Sequence, residues 1–159
     1  MMSEFEQIAN DVVTAIETAE SRISDFGYGP ATDEAVSAVN AGLVTWLISS
    51  EERRLNGSFR TKVLDQLPNN DDPSWQTYIS PAPAHSLKRR LEALWGIRIA
   101  YTHTAADVTM ISNARNRQYA IDAPRYINGC ELRNNILMIN KLDFHTTIRS
   151  IVQVRDVLR

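Results

Sequence analysis

The sequence predicts an all-α fold: an antiparallel bundle of about five helices, with a small β-hairpin ahead of the C-terminal helix. Two observations carry that prediction. Apolar residues recur at spacings of three and four over long segments, and the Gly, Pro and Asn residues that punctuate a chain gather at a few points between those segments. A third supports the hairpin: β-prone stretches are short and confined to "VTMIS" (residues 108–112) and "YINGCELRNNILMI" (residues 126–139).

In the first helix Phe5, Ile8, Val12, Ile16, Ala19, Ile23 and Phe26 fall on one face. Ser3 followed by Glu6 makes a capping-box pattern at its start, and "GYGP" (residues 27–30) ends it. The second helix begins near Thr32 or Asp33, with Val36, Val39, Leu43 and Leu47 as its stripe, and runs to Leu55 before "NGS" interrupts. A short loop makes these two helices antiparallel neighbours. "FRTKVLDQL" is a shorter helical piece, and residues 68–84 hold four of the six prolines and read as an irregular loop, a lid or a connector. The fourth helix starts near Ser86 and continues through Asp107. After "VTMIS", "NARNRQ" (residues 113–118) reads as a polar turn. Asn128–Gly129 and Asn134–Asn135 are the turn signals of the hairpin. The last helix, within residues 140–159, carries Phe144, Ile148, Ile151 and Leu158 on one side.

The 159 residues read as a single domain spanning 1–159, and a chain of that length buries roughly 70% of its extended surface on folding. Hydrophobic residues make up 43% and charged residues 23%, with no apolar run long enough to span a bilayer. The acidic N-terminus lacks the basic and then apolar pattern of a secretory signal, and one cysteine, Cys130, makes no disulfide framework; a reducing cytoplasm is the expected compartment. The net charge of −2 conceals a division: residues 1–35 hold eight acids and one base, leaving sixteen bases and eleven acids beyond them. A positive field over the later helices suits a phosphate-bearing partner. A solvated face of mixed charge explains the same balance.

One residue of the fourth helix breaks its pattern. Its stripe runs Leu87, Leu91, Leu94, position 98, then Tyr101, so Arg98 falls where a core leucine is expected. An unpaired buried cation costs several kcal/mol. Arg98 therefore needs a carboxylate, backbone carbonyls, a subunit boundary or an anionic ligand; an acid of an earlier helix, Glu51 or Glu52, is the plain structural answer. His103 follows five residues on, offset by about 7.5 Å and about 140° on one helix. Two such helices facing each other across a two-fold axis would pool two arginines and two histidines in one cleft. Asp107, four residues after His103, shares its face, where it would orient the ring or raise its pKa.

The arginine and histidine of "GIRIAYTHTAAD", on a late helix of a small helical chain, resemble the motif of the HEPN superfamily (higher eukaryotes and prokaryotes nucleotide-binding domains), an arginine followed four to six residues later by a histidine. The match is Arg98 and His103; Ile99 stands at a commonly polar position, and Ala105 where some members carry a modifiable tyrosine. The resemblance covers the first four helices in order and implies a metal-independent endoribonuclease acting as a homodimer, in prokaryotic defence or a toxin–antitoxin system, with RNA and an antitoxin or regulatory protein as partners. Arg98 and His103 are then the catalytic pair. The chemistry suits them: histidine exchanges protons near neutral pH, and arginine presents a planar cationic fork to phosphate oxygens. The expected product carries a 2′,3′-cyclic phosphate. Thr102, Thr104 and Asp107 support the site. A non-catalytic module of the same kind, binding RNA, a nucleotide or a protein, is the alternative, followed by a plain helical interaction domain.

"HSLKRRLEALW" adds His85, Lys88, Arg89 and Arg90 as a phosphate-tracking patch, with Trp95 and Tyr101 available for base stacking. Solvated arginines around a core tryptophan would leave the same pattern. His145 and Arg149 share a face of the last helix, at the surface or an interface. Three separated histidines and one cysteine lack the paired spacings of a zinc site, and no glycine loop cradles a phosphate. No metal and no cofactor are expected. Ser74 and Cys130 read as ordinary loop residues.

Overall fold

The structure is a computed structural model that describes residues 2–69, 72 and 85–158. Among the described residues it is an all-α bundle with a two-stranded hairpin before the C-terminal helix. Most of the expected loop over 68–84, Ser74 included, lies outside the described residues, as does the side chain of His85.

Helix α1 (Glu4–Ser24) starts at Ser3, whose hydroxyl accepts the backbone N–H of Glu6 at 3.2 Å. Its buried face is centred on Ala9 and Ile16; Ile8 is 44% exposed and Phe26, beyond the helix end, 88% exposed, so these two leave the expected stripe. Helix α2 (Pro30–Leu55) begins two residues before Thr32: Gly29 caps it and Pro30 takes the first position, where a missing N–H costs nothing. Leu43, Val44, Leu47 and Ile48 are fully buried, and Asn56 ends the helix in the left-handed region. Asn40 donates to Glu20 Oε1 at 2.6 Å, joining α2 to α1. The expected piece at 59–67 divides into one α turn, α3 (Phe59–Lys62), and a 3₁₀ turn, Leu64–Gln66, both anchored by buried side chains.

Helix α4 (His85–His103) crosses this layer. Leu87, Leu91, Leu94, Ile97 and Ala100 are buried, so the stripe turns through Ile97 and leaves Arg98 at its edge. The helix stops at His103, short of the expected Asp107. Ala106 N–H reaches back to the carbonyl of Ala100 at 2.9 Å, and Ala105 and Ala106 both take positive φ, 51° and 69°. The bond spans six residues, one more than in the six-to-one closure of a Schellman motif, and the turn is made without glycine. The chain then runs along the hairpin, Val108 N–H bonding Asn135 and Leu137 N–H bonding Ala106, before a 3₁₀ turn, Val108–Met110. "VTMIS" thus forms no strand of its own.

"NARNRQ" is no turn: it opens helix α5 (Ala114–Tyr126), with Asn113 as the capping residue. The helix shows no apolar stripe because Ala120 and Ala123 are all it buries, and its backbone at Tyr119 and Ala120 lies against Gly96 of α4. A Cβ at Gly96 would stand 2.5 Å from the backbone nitrogen of Ala120. Strands β1 (Cys130–Arg133) and β2 (Ile136–Ile139) pair antiparallel with Cys130 opposite Ile139. Of the two turn signals, Asn134–Asn135 makes the hairpin, both residues at positive φ as a type I′ turn requires. Ile139 N–H donates to Ser37 Oγ at 2.9 Å, fastening the hairpin to α2. Helix α6 (Phe144–Val157) is capped by Asp143, whose carboxylate accepts from the N–H and hydroxyl of Thr146; the backbone bond comes first in holding its pKa below the usual carboxylate value. Ile148, Ile151 and Val154 carry α6 into the core.

Candidate functional site

Arg98 and His103 sit on one helix and face different neighbours. The guanidinium carbon of Arg98 lies 5.2 Å from the centre of the Trp95 ring, and its Nη2 is 3.4 Å from Glu52 Oε1. Its side chain is 22% exposed, and its Nε is buried with no hydrogen-bond partner among the described residues. The cation is therefore held by an aromatic face and one long ion pair, with donor capacity left over. Glu52 is one of the two acids expected as its partner.

His103, exposed at the last position of α4, opens into a groove of about 330 Å³ lined by Ile99, Thr104, Met110, Ile111, Ser112, Asn113 and Asn116. Its ring makes no hydrogen bond or ion pair among the described residues. Arg98 is absent from that lining, so one chain does not bring the pair into a single pocket. Asp107 leaves the face of His103 because the helix has ended: its carboxylate accepts Thr109 N–H at 3.0 Å and the Thr109 hydroxyl at 2.6 Å, capping the 3₁₀ turn. The expectation that it orients the histidine from a continuing helix is corrected accordingly. Thr102 and Thr104 donate to the carbonyls of Arg98 and Ala100 on the helix itself. Thr104 remains part of the groove wall.

The basic run at the start of α4 is divided by packing. Lys88 is 7% exposed, and its ammonium donates to the Leu67 carbonyl at 3.2 Å. Arg90 turns to α6, donating from Nε to Ser150 Oγ at 3.0 Å, and burial lowers its pKa. Arg89 lies over the Tyr126 ring at 5.7 Å, beside a small groove between α4 and α5. Tyr101 is half-buried and donates its hydroxyl to the Leu137 carbonyl at 2.6 Å, and burial pushes its pKa up to about 12. Lys88 and Tyr101 are thus engaged in the interior, away from His103's groove. His145 and Arg149 are exposed and line a separate groove between α1 and α6 with Glu6 and Asn10.

Sequence reasoning passed over Met110, Ser112, Asn113 and Asn116, the wall opposite His103's helix. Their signal was the Asn113–Asn116 spacing of a capped helix start. Trp95 ties that wall to α4, its indole Nε1 donating to Asn116 Oδ1 at 3.1 Å. Among the described residues no three His, Cys, Asp or Glu side chains gather as a metal cage would require, and no helix is long and apolar enough to cross a membrane. The chain matches no protein-family model, no curated protein and no solved structure.

Proposed function

We propose that the chain is a metal-independent endoribonuclease of the HEPN type, working as a homodimer in the cytoplasm under an antitoxin or other regulatory protein. The observation that carries this reading is His103: an exposed imidazole, unengaged among the described residues, at the mouth of a groove on the helix that also bears Arg98. Cleavage then uses the RNA's own 2′-hydroxyl. His103 takes its proton as the 2′-oxygen attacks phosphorus, a protonated imidazole supplies the 5′-oxygen as it leaves, and a 2′,3′-cyclic phosphate remains. Arg98, with an Nε–H that has no hydrogen-bond partner among the described residues, supplies donors to the phosphate oxygens from the facing copy or after turning from Glu52. A two-fold axis near the end of α4 reconciles this pairing with the roughly 140° between the two side chains on one helix.

A second reading has an observation of its own. Arg98 is already engaged by Glu52 and Trp95, which favours a non-catalytic module that binds RNA, a nucleotide or a protein and leaves Arg98 structural. Incubating the protein with single-stranded and structured RNAs in excess EDTA, beside folded Arg98→Ala and His103→Ala variants, separates the two. Cleavage lost in both variants supports the nuclease. Absence of cleavage, or cleavage indifferent to both substitutions, leaves the binding module.

A further inference from the structure

The groove at His103 carries a second chemistry in its far wall. Asn113 and Asn116 both line it, and each has its carboxamide oxygen already engaged. Asn113 Oδ1 accepts the backbone N–H of Asn116 at 2.9 Å, and Asn116 Oδ1 accepts the indole N–H of Trp95 at 3.1 Å. Neither amide is free to turn over. An indole nitrogen only donates, and so does a backbone N–H, so a reversed carboxamide would set donor against donor in both places. What each residue has left to offer is its NH2, and neither makes a hydrogen bond among the described residues. Asn113 is exposed and Asn116 half-buried, so both are within a ligand's reach. Ile99 and Met110, the latter 67% exposed, add apolar surface to the same groove. Its volume of about 330 Å³ falls within the range of small-ligand sites.

Two fixed donors beside apolar surface select a planar group with acceptors along one edge. We propose that this groove reads a nucleobase bearing two neighbouring acceptors, guanine through O6 and N7 or cytosine through O2 and N3, next to the ribose that His103 addresses; the inference rests on the RNA reading of that site. Adenine is disfavoured because its N6 amine brings a donor against the asparagine donors. Uracil is disfavoured because N3–H separates its two carbonyls.

The test uses substitutions that reverse the wall's polarity while keeping its internal bonds. Asn113→Asp and Asn116→Asp each retain an oxygen for the helix cap or the Trp95 indole and exchange the offered donor for an acceptor. The parent and both variants are titrated with GMP, CMP, AMP and UMP, following the NMR signals of the asparagine NH2 groups and the Trp95 indole N–H. Ratios between bases are compared within each protein, which cancels the effect of the added charge on the common phosphate. The parent is expected to bind GMP and CMP roughly tenfold more tightly than AMP and UMP, and the preference for GMP over AMP collapses or inverts in the variants. Should Asn116→Asp disturb the fold, the exposed cap variant Asn113→Asp carries the comparison. Equal affinity for the four bases, no response of these signals to any of them, or a preference unchanged in the folded variants overturns the proposal. RNA cleavage with no base preference retires the base-reading groove and keeps the nuclease; preference without cleavage supports the groove and retires the nuclease.

Discussion

The Nη2 of Arg98 stands 3.4 Å from Oε1 of Glu52, an ion pair that ties the fourth helix to the second. The other oxygen of Glu52 accepts the backbone N–H of Phe59 at 2.9 Å, so one carboxylate holds three elements: α2, the start of α3 and α4. Glu52→Gln keeps an oxygen for Phe59 and removes the charge facing Arg98. Both side chains of the pair are about one-fifth exposed, so its loss is expected to cost about 0.5–1 kcal/mol. Glu52→Ala also strands the Phe59 N–H and is expected to cost about 2 kcal/mol. Urea unfolding of the two variants measures the difference.

Gly96 is where α5 rests on α4. Any side chain there meets the backbone of Tyr119 and Ala120, which cannot step aside as a flexible side chain would. Gly96→Ala is expected to destabilise the fold by about 3 kcal/mol despite alanine's higher helix propensity. Thermal unfolding followed by circular dichroism reads the loss, and the Trp95 indole signal reports displacement of the Asn116 wall.

Glu51 is fully buried between Arg54, at 2.8 Å, and Arg155, which also donates to Ser50 Oγ at 3.0 Å and lies over the ring of Phe5. Removing the acid leaves two cations sharing an emptied interior position. Both arginines retain some exposure, which moderates the penalty, and Glu51→Ala is expected to cost about 2–4 kcal/mol. Arg54→Ala is expected to cost less, because Arg155 still satisfies Glu51. Denaturant titrations rank the two.

Stability at high pH follows from two groups that the fold keeps neutral. Burial pushes the Tyr101 hydroxyl from 10.0 to about 12 and the Cys130 thiol from 9.0 to about 12. The unfolded chain ionises both at lower pH, so their contribution is complete below pH 9 and declines as the pH rises from there towards 12. A series of unfolding curves is expected to run level up to about pH 9 and fall beyond it, with a shallower fall for Tyr101→Phe. Cys130 is correspondingly expected to react slowly with thiol reagents at neutral pH, since the thiolate is the nucleophile.

The helices that bury large apolar residues at helical spacing were legible in the sequence, as Leu87, Leu91 and Leu94 of α4 illustrate. Helix α5 was not, because a helix packed against a glycine needs only alanines on its buried face, and Ala120 and Ala123 leave no stripe. The end of α4 was also hidden. Ala105 and Ala106 adopt left-handed conformations that sequence rules assign to glycine or asparagine, so the helix read on to Asp107. Within the site, Arg98 stood out as a cation in an apolar run and His103 by its spacing. The inward turns of Lys88 to Leu67 and Tyr101 to Leu137 depend on which carbonyls the fold brings alongside, and spacing along one helix carries no such information. Asn116 was missed for the same reason, since its carboxamide is oriented by Trp95, 21 positions away, whereas Asn113 left a local signal in its spacing as a helix cap.

The most direct test of the account is the chemistry of the RNA ends. The protein and its His103→Ala variant, shown to be equally folded, are incubated with a labelled single-stranded RNA in EDTA, and the 3′ ends of the fragments are identified by mass spectrometry. The account predicts 2′,3′-cyclic phosphates from the parent and at least a hundredfold less product from His103→Ala, the scale of one lost proton-transfer group. Undiminished cleavage by the variant, or no fragments from the parent, would contradict it.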